Sequence, residues 1–248
     1  MQAIIMAAGR GSRLGSLTDT IPKAFLTVKE HRLIDYNLSL LHENGIDDIK
    51  IVTGYKAGLY EDLAKEHAGI TCIYNPFYEH CNVLGSFYMA HDELRDEDTV
   101  YLHADTLCDP SIFEEMVQGT DDIVMPVDFK TCDKEAMKVI TEAGQVVKVS
   151  KEIPEMEAEG EFIGMAKLSA KAMPAIKAAT RKLMREGCLN SYFEGAIQAV
   201  IDEGGYRVPT LSTEKRFWGE VDFEEDYRYV KDNLPDTLWQ IAERHKND

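Results

Sequence analysis

Two periods of apolar and polar positions run along this chain, and the changes between them mark its elements. The opening run Ala3-Ile4-Ile5-Met6-Ala7 is apolar at every position, as expected of a strand buried on both faces of a sheet. It leads into Gly9, Gly11 and Gly15, in a segment too polar to continue the strand. From Leu33 to Asn44 the residues Leu33, Tyr36, Leu40 and Leu41 recur at helical spacing and Gly45 closes the run, while Asp48 to Thr53 is a short β-branched stretch ending at Gly54. The alternation predicts a helix from about Gly58 to His67, a strand at Ile70 to Tyr74, a helix from Ser86 to Leu94 and a strand at Thr99 to His103. A short helix after Pro110 and a strand at Ile123 to Val127 follow. Strands and helices alternating at these lengths predict an α/β fold with a Rossmann-like, mostly parallel sheet flanked by helices.

The pattern changes near residue 128. Met137 to Ile140 and Val146 to Val149 flank Glu142-Ala143-Gly144 as a β-hairpin would, and Phe162 to Leu168 offers another strand. Helices at about Ala170 to Arg185 and Ser191 to Glu203 come next, then strands at Tyr206 to Leu211 and Phe217 to Val221 that are expected to complete the sheet. Terminal helices at Asp226 to Asn233 and Leu238 to His245 are separated by Pro235. No repeat or linker divides the chain, so one domain is expected over residues 1–248: an alternating strand-and-helix core at 1–127, an elaborated part at 128–222 and C-terminal helices at 223–248.

Composition narrows the partners. With 27 Lys+Arg against 44 Asp+Glu the net charge is -17, which would repel nucleic acid over most of the surface. No stretch approaches a membrane span and no signal peptide precedes the first strand, so a cytoplasmic protein with no membrane partner is expected. The five cysteines, Cys72, Cys81, Cys108, Cys132 and Cys188, are dispersed with no CxxC pair, which suits reduced thiols. Against this acidic background, residues 1–32 hold Arg10, Arg13, Lys23, Lys29 and Arg32 with only Asp19 and Glu30, as a local anion site requires.

That basic opening contains the first chemical constellation, Ala7-Ala8-Gly9-Arg10-Gly11-Ser12-Arg13-Leu14, with Lys23 following Pro22. Glycines let backbone N–H groups approach phosphate oxygens closely, and Arg13 and Lys23 supply neutralising charge. A dinucleotide fingerprint would need a glycine where Leu14 stands and an acidic residue ending the second strand, where this chain has Thr53-Gly54-Tyr55. A P-loop would need Gly-Lys-Ser/Thr, which is missing.

The string AAGRGSRL followed by PKAFLTV resembles the signature AAGxGxRL…PKxxxxV of the nucleoside-diphosphate-sugar pyrophosphorylases and their cytidylyltransferase relatives. The resemblance implies a GT-A-like nucleotidyltransferase fold with an inserted hairpin region for the acceptor. It also implies a loop of Ala7, Ala8, Gly9, Gly11, Ser12 and Arg13 that grips a triphosphate, and a Lys23 that contacts phosphate through the transition state. Further matches extend it over nearly the whole chain. Asp105, after Tyr101-Leu102-His103-Ala104 at the carboxyl end of a strand, matches the family's metal-binding Asp, and open α/β sheets bind ligands at that edge. Trp218-Gly219-Glu220-Val221-Asp222 is similar to the W-x-E-I/V-D segment that carries a second metal carboxylate, Asp222, in the cytidylyltransferase branch. Period-two alternation puts Glu220 on the same strand face as Asp222. Two carboxylates from distant strands suit one Mg²⁺ bridging a triphosphate.

Asn75-Pro76-Phe77-Tyr78 and Asn82 to Ser86 resemble the nucleotide-contacting NPxY…N…S segment of phosphocholine and phosphonate cytidylyltransferases, with Cys81 where the commoner form has a second Asn. Asn82 and Ser86 also suit the capping of a helix. Ser150-Lys151 before Gly160-Glu161-Phe162-Ile163-Gly164 resembles the SK and G-E-F/Y-I-G elements of the same enzymes, which places Lys151, Glu161 and Gly164 near the acceptor. Tyr192, Glu194 and Trp218 are further acceptor candidates, since aromatic faces and a carboxylate hold an alkylammonium head.

The expected reaction is attack of a phosphate or phosphonate oxygen on the α-phosphorus of CTP, with Lys23, Arg13, Lys151 and Mg²⁺ neutralising charge and no general base. The expected acceptor is phosphocholine or a small phosphonate such as 2-aminoethylphosphonate. Two alternatives stay open: a sugar-1-phosphate or inositol-1-phosphate nucleotidyltransferase, and a non-catalytic nucleotide-binding regulatory relative.

Overall fold

Strand β1 (Gln2–Ala7) is buried along its whole length, with Ala3, Ile5 and Ala7 packing into one apolar layer and Ile4 and Met6 into the other. This alternation makes β1 the sheet's central partition and explains why its sequence is apolar throughout. A computed structural model describes residues 1–246; residues 247 and 248, the end of the expected C-terminal part, lie outside the described residues. After β1 come two 3₁₀ stretches (Ser12–Thr18 and Lys23–Phe25) and a small hairpin of β2 (Thr27–Val28) and β3 (His31–Arg32). Helix α1 (Leu33–Glu43) starts where Asp35 accepts a hydrogen bond from the Arg32 backbone at 2.8 Å and stops before Gly45 at φ 69°. Next are β4 (Asp48–Thr53), α2 (Ala57–Glu66), β5 (Ile70–Tyr74), α3 (Val83–Ala90), β6 (Thr99–His103), β7 (Thr106–Cys108), α4 (Pro110–Gln118) and β8 (Ile123–Asp128).

The second half supplies β9 (Lys138–Glu142), β10 (Gln145–Ser150), β11 (Gly160–Phe162), β12 (Met165–Leu168), α5 (Met173–Arg185) and α6 (Glu194–Glu203). It continues through β13 (Thr210–Ser212), β14 (Trp218–Glu220), α7 (Glu224–Asn233) and α8 (Asp236–Arg244). The ten-stranded sheet runs β10-β9-β11-β8-β12-β6-β1-β4-β5, with β13 beside β8. Strands β6, β1, β4 and β5 are parallel, so their carboxyl ends open on one edge, while β12, β11, β9 and β10 add an antiparallel wing. The expected α/β sheet flanked by helices is present, and the expected hairpin is β9-β10.

Four expectations change. The strand expected at Tyr206 to Leu211 is reduced to β13, which keeps only its last two residues and adds Ser212. The strand expected over Phe162 to Leu168 is two pieces, both antiparallel to β8, with Ile163 and Gly164 bulging between them and Gly164 at φ 79°. The stretch from Phe217 to Val221 does not complete the main sheet: β14 pairs with β7, Glu220 opposite Thr106, in a separate two-stranded ribbon. Helix α3 begins at Val83, with the Asn82 side chain accepting from the Val83 N–H at 2.9 Å, so Asn82 caps it and Ser86 does not.

Candidate active site

The carboxyl ends of β1 and β6, the loop after β1 and the β7-β14 ribbon border one cleft of about 800 Å³, a size that suits a small-molecule site. Ala7, Ala8, Gly9, Gly11, Arg13 and Lys23 all line it. Ser12 does not; it begins the first 3₁₀ stretch and is exposed. Gly11 holds φ at 69°, and a Cβ there would stand 3.1 Å from the Cβ of Lys23, so the loop closes tightly on the lysine stem.

Lys23 is the hub of this side. Its ammonium donates to Asp222 Oδ1 at 2.6 Å and pairs with Asp105, so one cation ties the end of β6 to the end of β14. The tie depends on the ribbon, because the Val221 N–H donates to the Asp105 carbonyl at 3.1 Å and sets Asp222 beside Asp105. Arg13 donates to the second Asp222 oxygen at 3.2 Å and lies 3.6 Å from Glu135. Burial on its own would lower the Lys23 pKa, but the charges of Asp105, Asp222 and Glu220 outweigh it and hold the ammonium protonated far above neutral pH.

Behind this pair lies a histidine that the sequence reading missed. His103 Nδ1 lies 3.2 Å from Glu220 Oε1, and its Nε2 is 2.9 Å from the Tyr101 hydroxyl. Burial would lower its pKa, but the Glu220 hydrogen bond and charge, with Glu194 and Asp105, raise it to about 9. In return, although burial opposes it, the His103 hydrogen bond and the charges of His103, Lys23 and Lys151 bring Glu220 down to about 2. Asp105 is pushed above the usual carboxylate range, first by burial and then by Glu220 and Asp222, with Lys23 pulling the other way. Ligand atoms of His103, Asp105 and Glu220 all lie within 4.8 Å of one another. Among the described residues that cluster takes in His103 and leaves out Asp222, which reaches Asp105 through Lys23. Gly164 explains how the imidazole fits: a Cβ on it would stand 2.8 Å from His103 Nδ1, so the bulge leaves room for the ring only with glycine there.

Lys151, Glu161, Tyr192, Glu194 and Trp218 all line the same cleft, together with Asn82 and Ser86. Lys151 Nζ lies 4.8 Å from the centroid of the Tyr192 ring. Glu194 is 2% exposed, and neither carboxylate oxygen meets a hydrogen-bond partner elsewhere among the described residues. Burial raises its pKa, with His103 opposing. The Trp218 indole N–H donates to Asp128 Oδ2 at 3.0 Å. Asp128 and Lys130 were not among the sequence candidates, although Asp128 ends a strand just as the acidic site residues do. The Ser86 hydroxyl is buried and accepts from the Asn75 side chain at 3.0 Å, which braces the loop between β5 and α3.

Residues 2–135 match the model of the family described as Nucleotidyl transferase. The chain belongs to that family. This nucleotidyltransferase is 28% identical over 237 residues to a choline-phosphate cytidylyltransferase of Streptococcus pneumoniae, covering 94% of this chain and 98% of the relative. It is 25% identical over 250 residues to a CTP:phosphoglutamine cytidylyltransferase of Campylobacter jejuni, covering 91% of this chain and 97% of that one. Its fold superposes on a solved structure of the CTP:phosphocholine cytidylyltransferase from Streptococcus pneumoniae with a TM-score of 0.78 at 26% identity, over 94% of this chain and 99% of that one. An inositol-1-phosphate CTP transferase from T. maritima shares the fold, with a TM-score of 0.77 at 22% identity over 98% and 94% of the two chains.

Proposed function

We propose that this nucleotidyltransferase takes CTP and transfers CMP to a small phosphorylated or phosphonylated alcohol or amine, of the phosphocholine or 2-aminoethylphosphonate type, releasing pyrophosphate. The observation that carries the reading is the Lys23 ammonium held between Asp105 and Asp222 beside the glycine loop, in one cleft with the aromatic rings of Tyr192 and Trp218 and the carboxylates of Glu161 and Glu194. The two relatives that match nearly end to end support the nucleotide, since both are named cytidylyltransferases.

In this mechanism an oxygen of the acceptor phosphate forms a bond to the α-phosphorus while the bond to the bridging α–β oxygen breaks, and pyrophosphate leaves with the electron pair. The acceptor needs no general base, because the second pKa of a phosphate monoester lies near ~6. The obstacle is repulsion between two anions. Lys23, kept protonated by its acidic neighbours, lowers it by placing fixed charge beside the triphosphate. Arg13 reaches the same side from the loop, and Lys151 meets the acceptor's phosphate. Asp105 and Glu220 offer carboxylate oxygens close to each other and to a ring nitrogen of His103, and Asp222 joins them through Lys23, so Mg²⁺ would be held by Asp105 and Glu220, with Asp222 reaching it once Lys23 turns to the triphosphate. When bound, Mg²⁺ would supply Lewis-acid neutralisation of the triphosphate. His103 contributes by fixing the orientation of Glu220.

Lys23→Ala tests this reading. Pyrophosphate release with CTP and phosphocholine should fall about a thousandfold, with the far-UV circular dichroism of the folded protein retained. Near-normal release by that variant would overturn the mechanism.

A further inference from the structure

The cation site on the acceptor wall is already filled by a residue of this chain. Lys130 Nζ stands 4.7 Å from the Trp218 ring centroid, 2.8 Å from Glu161 Oε2 and 3.5 Å from Asp128 Oδ2. The Trp218 indole N–H donates to that same Asp128 oxygen, so ring and carboxylate are held as one unit. An aromatic face with two carboxylates is a receptor for an ammonium group. The charges decide which ligand such a receptor favours. One ammonium against two carboxylates leaves the cage net negative even with Lys130 in place, so an anionic group would add repulsion while a second cation would relieve it.

The walls of the cage and the group inside it differ in freedom. The side chains of Asp128 and Glu161 are 18% and 16% exposed, whereas that of Lys130 is 43% exposed and hangs on a flexible stem from the loop between β8 and β9. Burial raises the pKa of Glu161 while the Lys130 hydrogen bond and charge pull it down, so the walls depend on a cation being present. An ammonium group arriving with the acceptor meets that need as well as the lysine does.

We propose that Lys130 is a tethered stand-in for the acceptor's cationic head, seated on Trp218, Glu161 and Asp128 and displaced when the acceptor binds. This rests on the cationic-acceptor reading given above. Lys130 thereby sets a threshold for acceptor choice: a head group must compete with a tethered primary ammonium to enter. It also offsets one of the cage's two negative charges between turnovers.

The chain has two tryptophans, so a Trp239→Phe background leaves Trp218 as the sole indole reporter. Choline chloride, a cation with no phosphate, is titrated into that parent while Trp218 emission is followed. Lys130→Met should bind choline about five- to tenfold more tightly than the parent, and Lys130→Arg, which keeps the cation, should bind no more tightly than the parent. Binding by Lys130→Met that equals or falls below the parent's would overturn the competition while leaving the cationic acceptor standing. Absence of choline binding in both the parent and Lys130→Met would overturn the cationic-acceptor reading, and the proposal with it.

Discussion

On the proposed nucleotide side of the cleft, the lining residues come from one short stretch, Ala7 to Lys23, and from the end of β6, which lies next to β1 in the sheet. On the proposed acceptor side, Asp128 ends β8, Lys151 follows β10, Glu161 lies within β11 and Trp218 begins β14, so these residues come from separate strands spread over some ninety residues of sequence. The first kind of site is fixed by backbone: a glycine loop and parallel strand ends carry the same geometry whatever the nearby side chains do. The second is fixed by side chains on separate strands, each replaceable on its own. One half of such an enzyme can therefore hold its chemistry constant while the other is retuned for a new acceptor.

Substitutions on the two sides should separate accordingly. The larger effect belongs to Gly11→Ala. The left-handed backbone at φ 69° and the 3.1 Å approach to the Lys23 Cβ both oppose a side chain there. The strain costs about 1 kcal/mol of stability, and the displaced ammonium should lower kcat roughly tenfold to a hundredfold, read from steady-state pyrophosphate release and a thermal melt. A variant with normal kcat would break the link between loop shape and Lys23. A smaller and more selective effect is expected of Trp218→Leu. Its KM for phosphocholine should rise roughly fivefold to tenfold while the KM for CTP moves less than about twofold. Equal changes in both constants would mean that the two walls are not separable.

The same contrast explains what could be read from the sequence. The opening strand and the glycine loop were legible because each announces itself locally, by an apolar run or by glycines, whereas Lys23 and Asp105 were singled out through their match to the nucleotidyltransferase signature, and both line the cleft. The strands at Ile70–Tyr74 and Thr99–His103 fell where the pattern put them. Strand β7 is three residues long, too short to carry a period, so its pairing with β14 was invisible and Phe217 to Val221 was assigned to the main sheet. His103 ends an otherwise apolar strand, and nothing in the sequence says that Glu220, 117 residues later, lies against it. Lys130 and Asp128 had no contrast, because 29% of the chain is charged. Ser12 was read as part of the loop but faces outward, since the 3₁₀ stretch that begins there turns its side chain away. Ser86, expected to contact the nucleotide or to cap a helix, lines the cleft, and its hydroxyl is engaged by Asn75 rather than by a helix end.

The central claim, CMP transfer from CTP to a small cationic phospho-acceptor, is tested most directly by pyrophosphate release from ATP, GTP, UTP and CTP. Each nucleotide is paired with phosphocholine, 2-aminoethylphosphonate, glucose 1-phosphate and inositol 1-phosphate. Release should be confined to CTP with phosphocholine or 2-aminoethylphosphonate, at least about tenfold above every other pair. Faster release with a sugar or inositol phosphate, with another nucleotide, or with no pair at all would contradict it.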